Sequence, residues 1–211
     1  FIESLTELSY EQRAVKILEK FLTDYSEDEL QGCVERAYGK DKFDTKEIAP
    51  VTALAGESVL ELWHGPTSAF KDMALQLLPQ LMSTALRKTG EKSDIVILVA
   101  TSGDTGKAAL EGFKDVEQIR IIVFYPETGV SKIQRLQMVT QTGGNVAVVA
   151  VEGNFDDAQT GVKQIFGDMQ FKEQLKNNNV QLSSANSINW GRLVPQIVYY
   201  FSSYADLLKK K

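Results

Sequence analysis

Cysteine occurs once in the chain, at Cys33, and histidine once, at His64. A lone thiol excludes an intramolecular disulfide and any cysteine-based zinc cluster, and a lone imidazole excludes a multi-histidine metal site, so no metal is expected. No apolar run approaches the length that crosses a bilayer, and no membrane is expected as a partner. No methionine precedes Phe1 and no charged leader opens the chain, so residues are expected to be missing at the front. A reducing cytoplasm is the default location. Positive charge is in deficit as well, with a formal net charge of -5. That balance argues against a nucleic-acid backbone as partner, and an anionic ligand would require a local positive pocket set against the overall field. The one basic run, Lys209 to Lys211, closes the chain and reads as a solvated terminus.

What is present suits an ordinary globular protein. The 211 residues are 43% hydrophobic and 24% charged, enough for one large domain or two small ones. From about Ser9 to Tyr38 apolar residues recur at three and four, with Asp28 a candidate start for a second helix. Cys33 falls among Leu30, Val34 and Ala37, the pattern of a small buried hydrophobe. Val51 to Trp63, broken by Gly56, reads as one or two brief strands. Phe70 to Arg87 reads as a long helix kinked at Pro79. Continuous apolar runs at Asp94–Ala100, Ile119–Tyr125 and Val146–Val151 are separated by helical patterns at Thr105–Phe113 and Ser131–Thr140, with another at Asp156–Phe166. Gly112 and Gly143-Gly144 punctuate two of these helices. Strands without polar alternation, alternating with helices, imply an α/β fold with a parallel sheet covered on both faces. A short strand near Val180–Ser184, a polar turn and a helix from Leu193 to Leu208 complete the chain.

Three segments carry side chains suited to chemistry. In His64-Gly-Pro-Thr-Ser-Ala-Phe-Lys71-Asp72, Gly65 and Pro66 fix a turn and Lys71 follows near a helix start. The positive end of a helix dipole disfavours the charged amine, which suits covalent attachment to a carbonyl. The same placement also suits a solvated surface lysine. Thr101-Ser-Gly-Asp-Thr-Gly106 follows a buried strand and opens a helix. Its glycines, free N–H groups and the hydroxyls of Thr101, Ser102 and Thr105 could hold a carboxylate or phosphate, as ligands bind at this edge of α/β sheets. A plain cap by Ser102 or Asp104 is the other reading. In Asn186-Ser-Ile-Asn-Trp-Gly-Arg192, an arginine with hydroxyl and amide neighbours suits a phosphate, although an Asx-turn with a solvated Arg192 fits as well.

Together the three segments resemble threonine synthase, in family order and over essentially the whole chain. Tyr125 to Gln134 and Val151 to Asp156 fit too. The similarity is closest to the longer bacterial and fungal type, whose lysine segment reads HGPT-x-AFKD. The resemblance implies the tryptophan-synthase-β-like pyridoxal-phosphate fold. The chain would then hold an incomplete large domain (1–93 and the truncated return helix 184–211) and a small three-layer α/β domain (94–183). It implies conversion of O-phospho-L-homoserine and water to L-threonine and phosphate. Lys71 would hold pyridoxal 5'-phosphate and then move protons between the substrate's carbons. Asp104 would sit near the cofactor's phenolic oxygen, where many relatives carry asparagine. Thr101, Ser102 and Thr105 would meet the substrate carboxylate or phosphate, and Ser187, Asn189 and Arg192 its phosphate. His64 has no implied chemical role beyond packing or bracing the turn.

Family members are about twice as long. The glycine-rich loop for the cofactor's phosphate and the hydroxyl facing its ring nitrogen come later in them than Leu208, so the chain is expected to be an inactive fragment. Alternatives are a threonine dehydratase or cysteine synthase type of lyase, or a non-catalytic protein that binds a phospho-amino acid. Both a monomer and a homodimer remain open.

Overall fold

The computed structural model describes residues 1–39 and 42–209. Of the terminal basic run only Lys209 falls among them, and its Nζ pairs with Glu7 Oε2 at 3.0 Å. Lys210 and Lys211 lie outside the described residues.

The chain forms two compact units, one made of Phe1–Leu81 together with the chain from Trp190 onward, the other of Met82–Asn189. The first unit is mainly helical. After a 3-10 turn at Glu3–Leu5 come α1 (Tyr10–Leu18) and α2 (Glu27–Tyr38). Each starts with a capping box, Ser9 with Gln12 and Ser26 with Glu29. The second helix therefore begins one residue before Asp28, because the Ser26 hydroxyl accepts the Glu29 N–H and satisfies an otherwise open donor. The strands β1 (Val51–Leu54) and β2 (Glu57–Leu60) form an antiparallel hairpin. Its turn places Ala55 and Gly56 at φ 52° and 87°, as a two-residue hairpin turn requires. The long helix expected from Phe70 is two: α3 (Asp72–Leu75) and α4 (Leu78–Thr89). Pro79 offers no N–H to the Leu75 carbonyl and its ring crowds that oxygen, so the break falls between them. The unit closes with α9 (Trp190–Lys209).

A core of Leu5, Ile17, Leu18, Leu30, Val34, Met73, Leu77, Val194 and Val198 joins these helices. Cys33 is fully buried in it, its Sγ donating to the Gln80 carbonyl at 3.4 Å. Arg13, also buried, donates to the carbonyls of Leu5, Thr6 and Ser202 and to the Ser202 hydroxyl, and it pairs with Asp206 at 2.6 Å.

The second unit is a four-stranded sheet in the order β5-β4-β3-β6, from β3 (Asp94–Ala100), β4 (Ile119–Pro126), β5 (Val146–Val151) and β6 (Val180–Ser183). All three neighbouring pairs are parallel. Between the strands run α5 (Asp104–Phe113), α6 (Lys132–Val139), α7 (Phe155–Gly167) and α8 (Met169–Asn177). One face of the sheet, Leu98, Ala100, Ile122 and Phe124, packs on Ala158 and Val162 of α7. The opposite face meets α5, where Gly106 lies so close to Val123 that an added Cβ would stand 2.9 Å from its Cγ1.

One expectation changes here. β5 is an edge strand whose Ala147, Val149 and Ala150 are exposed, so its apolar run is not covered on both faces. Gly112 is buried as the second-last residue of α5, near the end of its helix, and Lys114 follows as the cap. The helix α8 was not among the elements expected from the sequence, and it buries no residue.

Candidate functional site

The Lys71 segment is a closed turn held by its own last residue. Asp72 is fully buried, and its carboxylate accepts the Thr67 N–H at 2.8 Å and the Thr67 hydroxyl at 2.7 Å. Gly65 stands against the same carboxylate: a Cβ there would lie 2.6 Å from Asp72 Cβ. Ser68 takes the left-handed conformation, φ 54°, and its N–H donates to the Gly65 carbonyl at 3.0 Å. Lys71 then precedes α3 and is half-buried, with its Nζ 4.2 Å from the centre of the Phe70 ring. The turn thus fixes where the backbone delivers the amine.

His64 enters this turn with both ring nitrogens engaged. Nδ1 meets Asp44 Oδ1 at 2.5 Å and Nε2 meets Glu61 Oε2 at 2.7 Å. Burial pushes the imidazole pKa down, but the hydrogen bonds and charges of Glu61 and Asp44 outweigh it, and the net direction is up from 6.5. Glu61 shifts down in return, chiefly through the hydrogen bond from His64.

In the other unit, the loop 101–106 follows β3 and opens α5. Thr101 is buried, and its hydroxyl accepts the N–H groups of Gly103 and Gly106 at 3.0 and 2.9 Å, which shapes the loop. Neither Ser102 nor Asp104 caps the helix, because Gly103 (φ 146°) is the cap residue and no side chain bonds there. Ser102 is exposed, and Asp104 and Thr105 are half-buried. The Asp104 carboxylate accepts from Gln134 Nε2 at 2.7 Å and lies 3.5 Å from the buried Lys107 Nζ. Gln134 covers Gly103, where a Cβ would come within 2.4 Å of its Oε1. Sequence reasoning did not single out Lys107 or Gln134 for this loop. The glycine at 103, which lets a distant residue close in, was the available signal.

The third segment divides between the units. Ser187 is exposed, and Asn189 Nδ2 donates to the Ser184 carbonyl at 2.8 Å, bracing the turn. Arg192, on α9, is buried to 3% exposure rather than solvated, and its Nη1 has no hydrogen-bond partner among the described residues. Burial pushes its guanidinium below the ordinary value. A buried cationic donor of this kind suits an oxyanion. Among the described residues no group of three or more histidine, cysteine, aspartate or glutamate side chains could hold a metal ion, and no helix is long and apolar enough to cross a membrane.

No protein-family model matches the chain. It is 43% identical over 208 residues to threonine synthase of Pseudomonas aeruginosa, across 98% of this chain and 42% of that protein. It is 42% identical over 217 residues to human threonine synthase-like 1, across 99% of this chain and 29% of that protein. Among solved structures, a pyridoxal-phosphate-bound threonine synthase from Brucella melitensis superposes with a TM-score of 0.86 at 40% identity, covering 98% of this chain and 43% of that one. The chain is thus a homologue of the threonine synthases over nearly its whole length, shares their α/β fold, and spans less than half the length of these relatives.

Proposed function

We propose that the protein is a threonine synthase, converting O-phospho-L-homoserine and water to L-threonine and phosphate with pyridoxal 5'-phosphate held at Lys71. The observation that carries this reading is the 40% identity and 0.86 TM-score to a pyridoxal-phosphate-bound threonine synthase across 98% of the chain. The residues present fit such a cofactor and a phosphorylated substrate: a half-buried amine beside an aromatic ring for the cofactor, a glycine-opened loop after a parallel strand and a buried guanidinium with an unused donor for the substrate's anionic groups. When bound, the cofactor supplies the electron sink for carbanion chemistry at the substrate.

This chain's side chains take the remaining tasks. Lys71 Nζ attaches the cofactor and afterwards carries protons between the substrate's α and β carbons. Asp104, oriented by Gln134 and Lys107, would serve the cofactor's phenolic oxygen. Thr101 shapes its loop so that Ser102 and Thr105 present hydroxyls to the substrate's carboxylate or phosphate. Ser187, Asn189 and Arg192 serve the substrate phosphate, and this demand for a phosphorylated substrate argues against a dehydratase or cysteine synthase. On this reading residues 94–183 are the small domain and 1–93 with 184–211 belong to the large one. The reaction takes place in the cytoplasm.

Borohydride reduction of the full-length protein with pyridoxal phosphate, followed by peptide mapping, should put the pyridoxyl label on Lys71. The same preparation should release phosphate from O-phospho-L-homoserine. Label on Lys107 or elsewhere, or no phosphate release, would overturn the reading.

A further inference from the structure

His64 is the element of the lysine segment that the chemistry above leaves unused. A neutral imidazole has one N–H and one lone pair. Here both ring nitrogens face carboxylate oxygens, Asp44 at 2.5 Å and Glu61 at 2.7 Å, and an ionised carboxylate can only accept. Both nitrogens must therefore donate, which only the imidazolium can do. The two acceptors come from separate places, the loop before β1 and the residue just past β2. Each makes one further bond: the Asp44 N–H donates to the His64 carbonyl at 3.0 Å, which ties the two backbones together, and the Thr52 hydroxyl donates to Glu61 Oε1 at 2.8 Å. Glu47 adds a third negative charge within electrostatic range of the ring. On the far side of His64 the chain passes straight into the Gly65–Lys71 turn, whose other end is locked by Asp72 on Thr67.

We propose that His64, as an imidazolium, is a positioning residue for Lys71, clasping the start of the lysine turn to Asp44 and Glu61 and releasing it when the proton leaves. The proposal rests on the reading of Lys71 as the cofactor lysine. The sign follows from the partners. Because the folded-state pKa is raised, the clasp is fully made below 6.5, down to the range where its carboxylates take up protons, and is lost as pH rises through the folded value.

The test uses the full-length protein and pyridoxal phosphate itself. The His64 resonance, identified as the one that disappears in His64→Lys and in His64→Gln, gives its pKa by NMR. The rate of pyridoxyl labelling at Lys71 is then followed against pH in the native protein, His64→Gln and His64→Lys. The native profile should carry a limb at the NMR pKa. His64→Gln should lose that limb and label roughly tenfold more slowly at the acid end, as misplacement of a reacting group allows. His64→Lys keeps a cation with several donors, and it should hold the native acid-end rate across the range. An NMR pKa at or below 6.5, or a His64→Gln profile that overlays the native one, would overturn the proposal. Should His64→Gln fail to fold, a native limb displaced from the NMR pKa overturns it instead, and a coincident limb supports it. Absence of label on Lys71 in the native protein would defeat the cofactor-lysine reading, a separate outcome.

Discussion

Gly65 has no room for a side chain, since a Cβ would stand 2.6 Å from Asp72 Cβ and 2.7 Å from its Oδ2. Gly65→Ala must then push the buried carboxylate away from the Thr67 N–H and hydroxyl. Overpacking of this kind costs about 1–3 kcal/mol, and the urea midpoint of the full-length protein should fall accordingly. Pyridoxyl labelling of Lys71 should slow in the same variant. An unchanged midpoint would show that Asp72 can step aside. Lys71 and the residues around it were legible because the turn is written in adjacent residues. Asp44 as a partner of His64 was not, because it lies 20 positions away and the loop that brings it back has no periodic pattern.

At the level of elements, Arg13 adds a buried polar tie to the apolar core of the helical unit. Its guanidinium links α1 to the carbonyls of Leu5 and Thr6 and to Ser202 and Asp206 on α9. Arg13→Ala strands those acceptors and an aspartate together, a loss of about 3–5 kcal/mol. Thermal unfolding should show it, with Arg13→Lys recovering part of the loss. A shift of under about 1 kcal/mol would mean that water replaces the guanidinium, as it can at exposed pairs. The strands of the parallel sheet could be read from apolar runs bounded by turns, because central strands such as β3 bury side chains on both faces. The same run in β5 misleads about burial, since a strand's place at the edge is decided by topology rather than composition. The break between α3 and α4 was visible only as a kink, for proline marks a lost hydrogen bond without saying how the chain recovers. α8 touches the sheet through β6 yet buries no residue.

At the scale of the molecule, charges taken out of water among the described residues are met by partners: Arg13 by Asp206, Lys107 by Asp104, Asp72 by Thr67. Arg192 departs from that pattern. It is 3% exposed, burial lowers its pKa, and its Nη1 has no partner among the described residues. A chain of net charge -5 gains no solubility from one cation hidden in a helix. Desolvating it is a standing cost that an incoming oxyanion would offset. Arg192→Met keeps the length of the stem and removes the charge, which separates stability from function. Without ligand, the thermal midpoint of the full-length protein should hold or rise, because apolar replacements of buried charges are neutral or stabilising. With O-phospho-L-homoserine present, the native protein should gain stability and the variant should gain far less. Loss of one charge-assisted contact weakens binding by about 1.5–3 kcal/mol. Bound pyridoxal phosphate should keep its visible absorbance, since the cofactor's own phosphate is held elsewhere on this reading. A lower ligand-free midpoint with an undiminished response to the substrate would make Arg192 a structural residue and leave the phosphate without its proposed clamp.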